Sequence, residues 1–211
     1  MCDRRQEPLL HLLTWLSPAF PTGGYAHSHG LEWVVEAGDV CNEGAALDWL
    51  RDLLTLGSGR TDAILLRHAY RDQDVTALAK AAQPSAERQA ETLGQGGAFT
   101  IAGQVWDGIL PQPVPYPIAL AKLARQHDVP EDAATLGLLH AMAANWVSAA
   151  VRLVPLGQTA GLRILRALEP TLLSLMANTR TAGLDEIGGA CFRSDIASMR
   201  HETQHTRLFR S

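Results

Sequence analysis

Apolar residues recur along this chain at steps of three and four, the period of a helix with one buried face. The clearest stretch runs from Asp128 to Val154, where Leu139, Met142, Ala143, Trp146, Val147, Ala150 and Val151 share one side. Asp128 and Glu131 are spaced for a capping box, Pro130 suits a first turn, and Pro155 and Gly157 end the run. A second stripe follows through Leu162, Leu165, Leu168, Leu172, Leu175 and Met176. Pro170 interrupts it and predicts a kink or two shorter helices.

Earlier segments carry the same period. Glu43 to Leu56 holds Leu47, Leu50, Leu53 and Leu54, and Asp62 to Arg71 holds Ile64, Leu65, His68 and Ala69. Ser85 to Trp106 predicts a weaker helix, loosened by Gly94, Gly96, Gly97 and Gly103. From Leu110 to Pro117 every other residue is proline, which predicts an extended crossing. No stretch alternates with the period of a strand, and no repeat or break in composition divides the chain. The expected fold is all-α: one domain over 1–211, a helical bundle of roughly eight to ten helices.

Composition narrows the function classes. The chain has 211 residues, 46% apolar and 19% charged, which is enough apolar material for a core and argues against global disorder. A net charge of −4 supplies no basic footprint, so no nucleic-acid partner is expected. Lys80 and Lys122 are the only lysines among 18 basic residues, and the arginines suit planar ion pairs at interfaces. Cys2, Cys41 and Cys191 lack C-x-x-C spacing, as expected of reduced thiols. Arg4-Arg5 precedes an apolar run that Glu7, Pro8 and His11 interrupt, unlike an export signal. No apolar run comes near the ~20 residues of a membrane span, so a cytoplasmic location without membrane contact is expected.

Two segments are not explained by helix packing. In Ser17–Glu32, Pro18 and Pro21 exclude a helix, Gly23-Gly24 widen the backbone's choices, and Ser28 can cap a helix with Glu32 in its first turn. Tyr25 is then either an anchor for a partner's pocket or, with Phe20, a cover for the core. The second segment is Asp195–Ser211, where an apolar stripe begins at Ile196 and Met199, fades, and resumes at Leu208-Phe209 beside Arg200, Arg207 and Arg210. It suits a tail that orders on binding or an ordinary terminal helix.

His201-Glu202-Thr203-Gln204-His205 matches H-E-x-x-H, the zinc-hydrolase pattern of two ligands one turn apart with Glu202 as base. A third ligand is needed, and none of Thr206 to Ser211 is an ordinary zinc ligand. A zinc hydrolase is therefore the alternative reading, not the first. His27 and His29 offer a weaker chance of transient nickel contact. The glycine-rich stretches Gly57–Asp62 and Gly94–Gly97 follow no strand and lack the lysine and hydroxyl of a P-loop. No nucleophile–base pair or carboxylate pair has recognisable spacing, so neither enzyme activity nor a cofactor is expected.

The loop S-P-A-F-P-T-G-G-Y-A-H-S-H-G-L-E at Ser17–Glu32 resembles the N-terminal signature of the UreF family. Ser148–Thr159 resembles its central block, and Met199–Gln204 with Thr206–Ser211 its C-terminal one. Glu87-Arg88 with Leu93–Gly96, and Pro115–Ala119, fit as well. His205 departs from the family, which usually has an aromatic there. The resemblance implies an all-helical, non-catalytic chaperone subunit for urease maturation and nickel insertion. Its implied partners are UreD (also UreH), the GTPase UreG and apo-urease, and it implies a homodimer. It points to a docking loop near 17–32 with Tyr25, His27 and Ser28. It also points to a docking tail near 195–211 with Arg200, His201, Glu202, Arg207, Leu208, Phe209 and Arg210.

Overall fold

The computed structural model describes residues 6–107 and 114–211. Among them are ten α-helices and three short 3-10 turns, with no strand, as the all-α expectation required. The helices are α1 (Glu7–Trp15), α2 (Leu31–Glu36), α3 (Glu43–Thr55), α4 (Ser58–Tyr70), α5 (Thr76–Ala81), α6 (Ala86–Gly103), α7 (Tyr116–Gln126), α8 (Glu131–Leu153), α9 (Gln158–Asn178) and α10 (Phe192–His201).

Helix ends follow local chemistry. Asn42 Oδ1 accepts from Ala45 N at 3.0 Å to cap α3, and Ser85 Oγ accepts from Arg88 N at 3.2 Å to cap α6. The capping box expected at Asp128 does not form. Asp128 takes a left-handed φ of 54°, and Pro130 stands at the N-cap of α8 without a side-chain bond. Pro170 divides nothing: α9 runs unbroken through it. Pro170 and Arg166, whose carbonyl the proline cannot reach, are both exposed residues of α9. The extended reading of Leu110–Pro117 falls partly on 110–113, outside the described residues. At its other end it is corrected, because α7 begins at Tyr116 with Pro117 in the first turn, where no N–H is missed.

Two apolar clusters build the interior. One joins α2, α3, α9 and α10 to the C-terminal half of α8 through Leu31, Leu50, Leu54, Trp146, Ala150 and Leu168. The other joins α1, α5, α6 and α7 to α4 and the N-terminal half of α8 through Trp15, Leu65, Phe99, Ile118 and Leu138. Met142 on α8 packs against both. A helix at the centre must be apolar on several sides. This explains why α8, with 23 residues and a mean hydropathy of 1.3 in its most apolar window, meets the length and composition of a membrane span. The sequence reading had no such segment; half of that window is buried inside the fold.

Close approaches and ion pairs lock the layers. A Cβ on Gly96 would overlap the Val114 carbonyl oxygen and come within 2.8 Å of Tyr116 N, so α6 receives the start of α7 only through a glycine. Arg67 on α4 is buried at 1% exposure. It donates to Asp132 Oδ1 at 2.8 Å, the Met176 carbonyl at 2.6 Å and Thr179 Oγ1 at 3.1 Å, and pairs with Glu131. One guanidinium thus ties α4 to α8 and α9.

Candidate partner-docking site

The two segments that helix packing left unexplained lie against each other. The Arg210 N–H donates to the Ala26 carbonyl at 2.8 Å, the His29 N–H to the Ser211 carbonyl at 3.1 Å, and the Ser28 N–H to that same carbonyl. The loop and the tail form one structure.

Within the loop the alternatives divide between the two aromatics. Phe20 covers the core, its ring centroid 5.2 Å from that of Phe99. Tyr25, on the 3-10 turn Gly24–Ala26, is 64% exposed. Its carbonyl accepts from Arg152 Nη2 at 2.7 Å, and the same guanidinium lies over the Phe209 ring at 4.5 Å. Ser28 Oγ accepts from Glu32 N at 3.3 Å at the start of α2, the capping role its position suggested. Gly30 is required twice. Its φ is +75°, and a Cβ there would stand 2.7 Å from Ser198 N on α10.

Three glutamates hold the tail. Glu32 is buried and accepts from Leu208 N at 2.7 Å and Phe209 N at 2.9 Å, with His201 Nε2 at 3.2 Å. Glu87 receives Arg207 Nη1 at 2.7 Å and lies 2.7 Å from His201 Nδ1. Glu91 accepts from the Ser211 hydroxyl at 2.7 Å, which leaves that oxygen to accept from His27 Nδ1 at 2.8 Å. Charge-assisted bonds of this kind are the stronger class.

Beneath them is a buried polar knot. Glu91 pairs with Arg88 and lies 2.8 Å from His29 Nε2. Burial opposes ionisation of Glu91, but Arg88 and the hydrogen-bonded His29 outweigh it and hold the carboxyl well below its usual range. Burial, reinforced by Arg88, lowers His29 to about 4, so its ring is neutral at neutral pH. Burial likewise lowers His27, against the pull of Glu91. Asp62 is raised to about 7 chiefly by burial, against the pull of Arg88. Among the described residues its Oδ1 has no hydrogen-bond partner.

The residues expected to dock are therefore of two kinds. Tyr25, Leu208 (78% exposed), Arg207 and Arg210 stand at the surface. Ser28, His201 and Phe209 are buried, out of a partner's direct reach, and His27 is half-buried. Arg200 is exposed on α10, and Glu202 Oε1 accepts from Ala86 N at 2.9 Å, capping α6 from outside. The zinc-hydrolase reading is overturned by the same geometry. His201 ends α10, so no helical turn carries on to His205, and both His201 ring nitrogens are engaged by carboxylates. His29 is likewise taken up by the buried knot, which leaves His27 and His29 no common open face. Among the described residues no group of three or more His, Cys, Asp or Glu side chains is placed to hold a metal ion.

Sequence reasoning missed Glu91 and Arg152 as anchors and read Glu32 only as a first-turn acid. Glu87 and Arg88 entered only as matching pieces. Glu32, Glu87, Arg88 and Arg152 carried one signal, their place inside the blocks that carried the resemblance, and Glu91, between two such pieces, carried none.

Comparison with known proteins gives the family. The UreF family model matches residues 40–169. Three relatives each bear the name urease accessory protein UreF. One from Rhodopseudomonas palustris is 48% identical, covering 99% of this chain and 94% of its own. One from a Bradyrhizobium species is 50% identical over 96% of this chain and 92% of its own. One from Cereibacter sphaeroides is 50% identical over 96% of this chain and 98% of its own. With a family match over more than half its length and relatives this similar from end to end, the chain belongs to the UreF family of urease accessory proteins.

Proposed function

We propose that this chain assists urease maturation as a non-catalytic, cytoplasmic subunit, acting as one helical domain that binds UreD and with it recruits the nickel-carrying GTPase UreG to apo-urease. Its family supports the role in urease maturation. The particular partners follow from the resemblance of the three sequence blocks.

One observation carries the location of docking. Exposed Tyr25, Arg207 and Leu208 belong to a loop and a tail that are bonded to each other and held by buried carboxylates. Fixing the backbone that carries these side chains in advance lowers the entropy lost on binding. In this reading Ser28, His201 and Phe209 serve by holding the face in shape. The test is co-purification with UreD, UreG and apo-urease, followed by urease activation in nickel. Tyr25→Ala or Arg207→Ala should abolish recruitment while far-UV circular dichroism stays unchanged. Full activation by both folded variants would defeat the proposal.

The homodimer implied by the resemblance has a candidate face elsewhere. An open apolar groove of about 610 Å³ lies between α1, α8 and α9, lined by Leu9, Leu13, Leu136, Gly137, His140 and Leu173. Leu9 and Leu13 are 51 and 61% exposed at its rim. An uncovered apolar patch of this kind is where a second copy would bury most. Leu136→Asp should then yield a monomer in sedimentation, and an unchanged sedimentation coefficient would rule the groove out.

A further inference from the structure

The outer face of α10 is uncovered. Phe192, Ile196 and Met199 are 69, 53 and 50% exposed. They follow at steps of four and three, the spacing by which one helix offers a seam to another. The inner face of the same helix, at Ala197, Ser198 and His201, is buried against the body. The packing of α10 against the body thus leaves half or more of each outer apolar side chain uncovered.

The seam has a charged edge. Arg193 and Arg200 stand seven residues apart, on the same side two turns on. Each guanidinium lies over a tryptophan ring at 5.8 Å, Arg193 over Trp49 and Arg200 over Trp33. These seats help to hold both long side chains in place, and both residues stay exposed. The carboxylate paired with Arg193 is Asp39 at 3.6 Å, too far for a hydrogen bond. On the opposite edge Glu202 is already committed to the amides that open α6.

We infer that this face docks an amphipathic helix of a partner protein, apolar along the seam and acidic along the flank that meets Arg193 and Arg200. The inference rests on the reading that this chain works through partners. It extends the docking tail from its exposed end at Arg207 and Leu208 to the outer face of α10 and states the chemistry of what covers that face. A second copy of α10 packed antiparallel would set these arginines against their own counterparts, a repulsion that an acidic flank turns into pairing.

Two double variants test it, Ile196→Asp with Met199→Asp, and Arg193→Glu with Arg200→Glu. The wild-type chain is first co-expressed with UreD and UreG; if neither is held, the broader reading and this inference fall together. With a wild-type complex in hand, both variants should keep their circular dichroism and sedimentation but lose about tenfold or more in affinity for one partner. The arginine variant changes two exposed side chains and carries the test if the other fails to fold. Folded α10 variants that bind as wild type overturn the inference, even if Tyr25→Ala abolishes binding and so upholds the loop and tail. Sedimentation that changes for the variants alone, without partner, would assign the face to a second copy and overturn it equally.

Discussion

The carboxylate of Glu32 accepts the backbone N–H of Phe209 at 2.9 Å, a bond between residues 177 apart in sequence. It pins the tail to the first turn of α2, and the neighbouring Leu208 N–H reaches the other oxygen at 2.7 Å. A buried carboxylate with several donors is costly to replace, because each donor left without a partner keeps its desolvation penalty.

Glu32→Gln should therefore loosen the tail first. A neutral amide weakens the bonds to both N–H groups and to His201, at a cost of about 1–3 kcal/mol. Hydrogen exchange at Leu208 and Phe209 should quicken about tenfold or more while exchange in α8 stays slow. Equal acceleration in both places would mean that Glu32 supports the whole fold and not the tail.

Gly30 and Gly23 separate backbone strain from crowding. Both have φ +75°, but a Cβ on Gly23 meets nothing within 4 Å, while one on Gly30 meets Ser198 N at 2.7 Å. Gly23→Ala should cost roughly 1–2 kcal/mol, the penalty of a left-handed non-glycine residue. Gly30→Ala should cost clearly more in urea denaturation. Equal losses would show that α10 gives way.

Arg67 and Arg180 both bind Asp132, yet Arg67 is 1% and Arg180 55% exposed at the side chain. Arg67→Met leaves the Met176 carbonyl and Thr179 hydroxyl short of a donor in the interior, at a cost of about 3 kcal/mol or more. Arg180→Met should cost far less, since solvent screens an exposed pair. Thermal denaturation of the two variants measures the difference.

Asp62 and His29 pull the pH dependence of stability in opposite directions. His29 titrates at about 4 when folded and 6.5 when unfolded, so between those values the unfolded chain binds more protons and stability rises with pH. Asp62 titrates at about 7 when folded and 3.8 when unfolded, so the folded chain binds more protons and stability falls as pH rises through that window. The two slopes offset each other from about pH 4 to 6.5. Asp62→Asn removes one of them, and stability relative to wild type should climb by roughly 1 kcal/mol per pH unit from about pH 4 to 7. A difference that stays flat across this range would show that Asp62 is ionised in the folded protein.

Much of this molecule was legible in local pattern. The three- and four-residue period around Leu139, Met142 and Trp146 marked the central helix, and prolines with glycines marked the Tyr25 loop, because helix formation and turn chemistry act between near neighbours. Ordered blocks across the chain also pointed to the family. The capping box at Asp128 did not form, and of the kink or two shorter helices expected at Pro170 the division into two did not occur, because each site had more than one local outcome and packing chose between them. Only the tertiary structure joined the Tyr25 loop to the Arg207 tail and put Glu32, Glu87 and Glu91 beneath it. It also stopped α10 at His201, which undid the H-E-x-x-H reading. Hydrogen bonds and ion pairs depend on distance in space, and no periodicity in the chain records that residue 32 lies beside residue 209.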